Sequence, residues 1–152
     1  LNLLNDNYNN INNEENKENL WPIIGNKFEI LNPSIVEIYR MSNNDLKNVK
    51  GFTVNNEYAK IKYVESLDLV GINLNEIILM EEKNVQIYPK GNIPKSGQGF
   101  NKPATITIYK MFDFDEEDVQ TFKIEIEKKK GIFLKYDSDK GFIKFKIREW
   151  IK

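Results

Sequence analysis

Residues 141–152, Gly-Phe-Ile-Lys-Phe-Lys-Ile-Arg-Glu-Trp-Ile-Lys (GFIKFKIREWIK), decide how the chain is read. Ile143, Phe145 and Ile147 fall on one side of an extended chain, and Lys144, Lys146 and Arg148 on the other. That period of two describes a strand with one buried and one wet face. The alternation then fails. Glu149 lands on the apolar side, between Ile147 and Ile151, while Trp150 lands on the polar side. A carboxylate on a core-facing line is costly unless it is paired or sits where the strand frays. Two readings follow: the strand ends near Arg148, or this end is a functional site.

The composition narrows the chemistry. The chain has 152 residues, enough for one domain with an ordinary core. Hydrophobic residues make up 40% and charged residues 30%, with a net charge of -1, so no global field draws nucleic acid or anionic membrane. There is no cysteine and no histidine. Disulfides, thiolate chemistry and the commonest general base and metal ligand are therefore excluded. No apolar run has membrane-spanning length. No metal, cofactor, membrane or small-molecule substrate is expected.

Upstream of the last strand, short apolar runs alternate with turn residues. Residues 1–20 are rich in asparagine and are expected to form a linker or tether, with Leu1, Leu3 and Leu4 as its only plausible anchors. The chain opens on Leu1 and is expected to be a fragment. Residues 21–152 are expected to form one domain. Ile35 to Arg40 reads as a first strand covered on both faces. Ser42 and Asp45 spell a capping box for a short helix from Asn43 to Val49 that stops at Gly51. Ala59, Ile61 and Tyr63 alternate with Lys60 and Lys62 as a strand. Leu67 to Leu74 reads as a buried irregular segment. Ile77–Met80 and Val85–Tyr88 read as a hairpin closed by Pro89.

Gly91 to Pro103 is a loop in which Gly97 and Gly99, followed by Phe100 and Asn101, supply special backbone angles. Its spacing matches neither phosphate-loop fingerprint. Ala104 to Tyr109 reads as another strand. The acidic cluster at Asp113 and Asp115–Asp118 lacks the order of a calcium loop and suits a helix N-terminus. Asp118 to Lys130 admits both periods, and its Lys-rich end before Gly131 favours helix. Ile132 to Tyr136 is a strand. The expected class is α+β, mainly antiparallel: a β-sandwich-like sheet folded over itself, with short flanking helices.

Several segments in this order resemble the C-terminal, self-cleaving domain of the GLFG-repeat nucleoporins: IVEIYRMSNNDL, VESLDLVGINLNEII with VQIYP after it, SGQGFNKPATITI, and FLKYDSDKGFIKFKIREW. The family pattern has a GxGLN-like loop before a strand and a last strand reading FKV-x-His-Phe-Ser. The resemblance spans Ile35 to Trp150 and implies a β-rich sandwich with flanking helices. In that family the serine attacks the preceding carbonyl, assisted by the histidine, and the ester is hydrolysed. Laid on this pattern, Glu149 falls at the histidine, Trp150 at the aromatic and Ile151 at the nucleophile. No Ser, Thr or Cys follows Ser138. The chain also continues past the expected cut, as an uncleaved chain would.

The resemblance therefore implies a degenerate autopeptidase. It implies a nuclear, pore-located domain that anchors an FG-repeat nucleoporin to a scaffold or β-propeller nucleoporin. Phe145, Ile147 and Trp150 are the implied partner-binding residues. Two alternatives stand beside it. One is an active autopeptidase using a displaced register. The other is RNA binding by Lys144, Lys146 and Arg148 with Lys128 to Lys130.

Overall fold

The computed structural model of the chain describes residues 20–151. Except for Leu20, the tether expected over residues 1–20 lies outside them. Strands β1 (Glu29–Asn32), β2 (Thr53–Asn55), β3 (Ala59–Tyr63), β6 (Ala104–Ile108), β7 (Ile132–Asp137) and β8 (Phe142–Ile147) form one open antiparallel sheet, in the order β1-β2-β3-β6-β8-β7. Strands β4 (Ile78–Glu81) and β5 (Asn84–Ile87) make a separate hairpin. The sheet expected to fold over itself is thus one six-stranded layer plus a two-stranded ribbon, and both contribute to a single apolar core.

The alternation in the sequence sets the register. Ile30, Val54, Ile61, Ile106, Phe145 and Phe133 form one continuous inner rung across all six strands. On the opposite face, Lys60, Thr107 and Lys144 form one rung, and Lys62, Thr105 and Lys146 the next. A slip of one residue would exchange the two sets, so burial of the inner rung fixes the pairing.

Four helices accompany the strands: α1 (Ile35–Arg40), α2 (Asn43–Leu46), α3 (Leu74–Ile77) and α4 (Glu116–Lys128). The capping box at Ser42 and Asp45 is present and starts α2, which is shorter than expected. Asp115 and Asp118 form a second capping box, so the acidic cluster opens α4 as read. Acidic side chains in that first turn also meet the positive end of the helix dipole.

The reading of Ile35 to Arg40 as a strand is corrected. The segment is helix α1, because the Ser34 hydroxyl accepts the Glu37 backbone N–H at 3.1 Å and begins a helical turn. Only Ile38 of that helix is buried; Ile35, Val36 and Tyr39 face outward. The signal was Ser34 three residues ahead of Glu37, masked by β-branched neighbours. Two elements escaped the sequence reading. Strand β1 is short and weakly patterned, and α3 is a single turn capped by Asn73.

Candidate functional site

The C-terminal joint gathers residues that lie far apart in sequence. Strand β8 ends at Ile147, and the chain bends through Arg148 and Glu149. The strand therefore stops where the alternation failed. Beyond the bend the pleat no longer dictates direction, so Trp150 turns into the core. Its ring stacks on Tyr63 at the end of β3, with centroids 6.4 Å apart. Glu149 is half-buried and belongs to neither ion pair found among the described residues.

The glycine loop holds this joint. Asn101 is buried, and its Oδ1 accepts the Trp150 backbone N–H at 2.7 Å. Its Nδ2 donates to the Pro94 carbonyl at 2.8 Å, and its own carbonyl accepts from Gly97 N–H at 2.7 Å. One side chain thus ties the loop to the tail and satisfies groups on both. Gly97 and Gly99 both adopt positive φ, 89° and 55°. At Gly99 a Cβ would also come within 2.5 Å of the Tyr88 hydroxyl, so only glycine fits there.

Phe100, between Gly99 and Asn101, packs edge-on against Tyr63 and Phe52. Its N–H donates to the Tyr88 hydroxyl at 3.1 Å, and its carbonyl accepts the Tyr63 hydroxyl at 2.7 Å. Of the four loop residues singled out in the sequence, Asn101 binds Trp150 directly, Phe100 reaches it through the Tyr63 ring, and Gly97 and Gly99 shape the loop that carries them. Burial pushes the Tyr63 phenol well above its ordinary pKa, Tyr88 adds to the shift, and the Trp150 indole opposes it. The indole Nε1–H is itself buried and faces the Tyr63 hydroxyl without reaching hydrogen-bond geometry.

Ile151 emerges from this joint into a cleft of about 510 Å³. Val85, Ile87, Pro89, Ile93 and Trp150 form its apolar lining, and the amides of Asn84 and Gln86 its polar part. Among the described residues, no hydroxyl or carboxylate side chain lines the cleft. Of the partner-binding residues expected from the sequence, Phe145 is a core residue, Trp150 is largely buried but lines the cleft, and Ile147 is half-buried; Ile151 beyond them is exposed.

The fold matches that of a known domain. A family model described as Nucleoporin2, the Nup98-96 autopeptidase S59, matches residues 29–151. The chain belongs to that family. Among relatives, Nup98-Nup96 of Drosophila melanogaster is 34% identical over 77 residues, covering 49% of this chain and 4% of the relative. Nucleoporin NUP116/NSP116 of Saccharomyces cerevisiae is 32% identical over 129 residues, covering 73% of this chain and 12% of the relative. The chain therefore spans only a small part of the length of these relatives.

Among solved structures, a chain of the yeast heterotrimeric Nup82-Nup159-Nup116 nucleoporin complex matches with a TM-score of 0.69 at 27% identity, covering 82% of this chain and 98% of that chain. The Chaetomium thermophilum Nup145N domain, a T994A mutant fused to part of Nup145C, shares the fold with a TM-score of 0.66 at 22% identity; 84% of this chain and 97% of that one are covered. These relatives and solved structures are nucleoporins, and this chain shares their autopeptidase-family domain. Among the described residues no group of side chains is arranged to hold a metal ion, and no helix is long and apolar enough to cross a membrane.

Proposed function

We propose that this domain, residues 21–152 behind an asparagine-rich tether, anchors its chain in the pore by binding a scaffold or β-propeller nucleoporin. We propose also that it does not cleave itself. The observation that carries the second part is at the tail. Laid on the family's pattern as the resemblance implies, the histidine and nucleophile positions fall on Glu149 and Ile151, and among the described residues the cleft beside them is lined by no substitute nucleophile. An isoleucine side chain has no atom that can attack the Trp150 carbonyl. A carboxylate at Glu149 has no hydroxyl there to deprotonate. What persists is the structural half of such a site: the Asn101 clasp on the Trp150 N–H and the glycine loop that positions it.

The likeness to a chain of a heterotrimeric nucleoporin complex supports the anchoring reading. The test has two readouts. A chain extended beyond Lys152 keeps its intact mass after prolonged incubation; release of a fragment ending at Trp150 would overturn the loss of cleavage. The wild-type domain recovers a defined nucleoporin, identified by mass spectrometry, and Ile151→Asp weakens that recovery. Recovery of no nucleoporin by the wild type would overturn the anchoring.

A further inference from the structure

We infer that the outer face of the six-stranded sheet is a docking groove for an extended, acidic protein segment. The groove has a volume of about 650 Å³, and its lining includes Lys60, Lys62, Thr105, Thr107, Lys144 and Lys146. The register explains how these come together. Lys60 and Lys144 flank Thr107, while Lys62 and Lys146 flank Thr105. Residues two apart on a strand are about 6.7 Å apart, and strands two apart in a sheet lie about 9.6 Å apart. The four ammonium stems therefore form a rectangle around a central row of two hydroxyls.

Among the described residues, none of the four lysines has an ion-pair partner. The ion pairs among the described residues are Lys110–Glu57 and Lys135–Asp137. Lys135 stands directly opposite Lys144 in the register, where two like charges would repel. It is drawn aside to Asp137 at 3.7 Å and over the Phe142 ring. Among the described residues the remaining cluster has no ion-paired counter-charge, on a chain whose net charge is only -1. The positive potential here is local and is met by a local anion.

The geometry favours a peptide over a nucleic acid. An extended peptide repeats its side chains on one side at the same interval as Lys60–Lys62 and Lys144–Lys146. Carboxylates at every second position then reach both lysines of a column, with the segment lying along the Thr105–Thr107 row. Exposed Val64 and Leu134 at the groove offer apolar contact for aliphatic residues interspersed with the acids. Single-stranded nucleic acid is held by aromatic rings on which bases stack. Among the described residues Tyr63 is the one aromatic in the lining, and it is 1% exposed, its ring committed to Phe100 and Trp150. The Lys128–Lys130 cluster does not line the groove.

This deepens the anchoring reading by giving the partner a chemistry, and rests on it only for the source of the segment. A labelled synthetic peptide alternating glutamate and valine, titrated with this chain and read by fluorescence anisotropy, tests it at low and at physiological salt. Single-stranded oligouridylate of equal charge is the competitor. Lys60→Glu/Lys144→Glu is compared with Lys128→Glu/Lys129→Glu, which makes the same change in net charge elsewhere, and both are checked for folding by circular dichroism. The peptide binds wild type and the helix variant alike, and the groove variant binds about tenfold more weakly or worse. Equal binding by the two variants, no binding by wild type at low salt, or tighter binding of the oligouridylate would each overturn the inference. If wild type and groove variant recover the same nucleoporin equally well, the anchoring stands and the groove assignment alone fails.

Discussion

The two faces of β8 carry alternate residues of one short run and share one backbone ladder, yet they obey different constraints. Ile143 and Phe145 point inward, both buried, and Phe145 meets Ile106, Phe133 and the ring of Phe122 from α4. Lys144 and Lys146 point outward, exposed and, among the described residues, without ion-pair partners. An inward residue is determined by volume and by the loss of water around it. An outward residue is free to vary as far as folding is concerned, so a pattern there reflects something else. Two lysine columns around a threonine row add nothing to the core and concentrate like charge.

The sharpest way to break this contrast is at the inner face. Phe145→Ala should lower the unfolding free energy by about 3–5 kcal/mol, since it leaves a cavity in the middle of a rung that crosses the whole sheet. Urea unfolding would show it as a fall in midpoint with little change in slope. A loss below about 1 kcal/mol would mean that the inner rung collapses around the gap and is not the rigid layer its packing suggests.

The contrast also shows what the sequence could reveal. Strands β3, β6 and β8 were legible because each has a buried side and a wet side, and the alternation records both. Helix α4 was legible through its termini, the acidic start at Asp115 and the lysines before Gly131, although its apolar residues fit either period. Helix α1 was not, because Ile35, Val36 and Tyr39 are apolar yet exposed. Their burial was assumed from residue type, and a strand was inferred from that burial. The local backbone signal, Ser34 capping Glu37, outweighed it.

At the joint, the break at Glu149 was visible as a failed alternation. The inward turn of Trp150 was not, since it depends on Asn101, 49 residues away. Pattern reading reports periods within a segment; a clasp between a loop and a tail has none.

That clasp is the next test in size. Asn101→Ala removes the acceptor for the Trp150 N–H and the donor to the Pro94 carbonyl, leaving two groups without partners. The expected loss is about 1–3 kcal/mol, less than for Phe145→Ala, because no large apolar volume is lost. Trp150 should become more exposed as the tail frays. Acrylamide quenching would detect this in a Trp21→Phe background, which leaves Trp150 as the only tryptophan of the chain. Unchanged quenching despite lost stability would show that the Tyr63 stack alone seats the ring, and that Asn101 serves the loop rather than the tail.

The smallest effect on stability is expected at the outer face. Lys60→Ser and Lys144→Ser should each change the unfolding free energy by less than about 0.5 kcal/mol, because Lys60 is only half-buried, Lys144 is exposed, and neither closes an ion pair among the described residues. The sign is informative. Removing one charge from an uncompensated cluster relieves repulsion, so a slight gain is the expected direction, and it should vanish as salt is raised and the charges are screened. A loss that persists at high salt would mean the lysine stems pack on Thr105 and Thr107 and support the sheet. The two faces of β8 would then differ in degree rather than in kind, and the case for a binding role on the outer one would weaken accordingly.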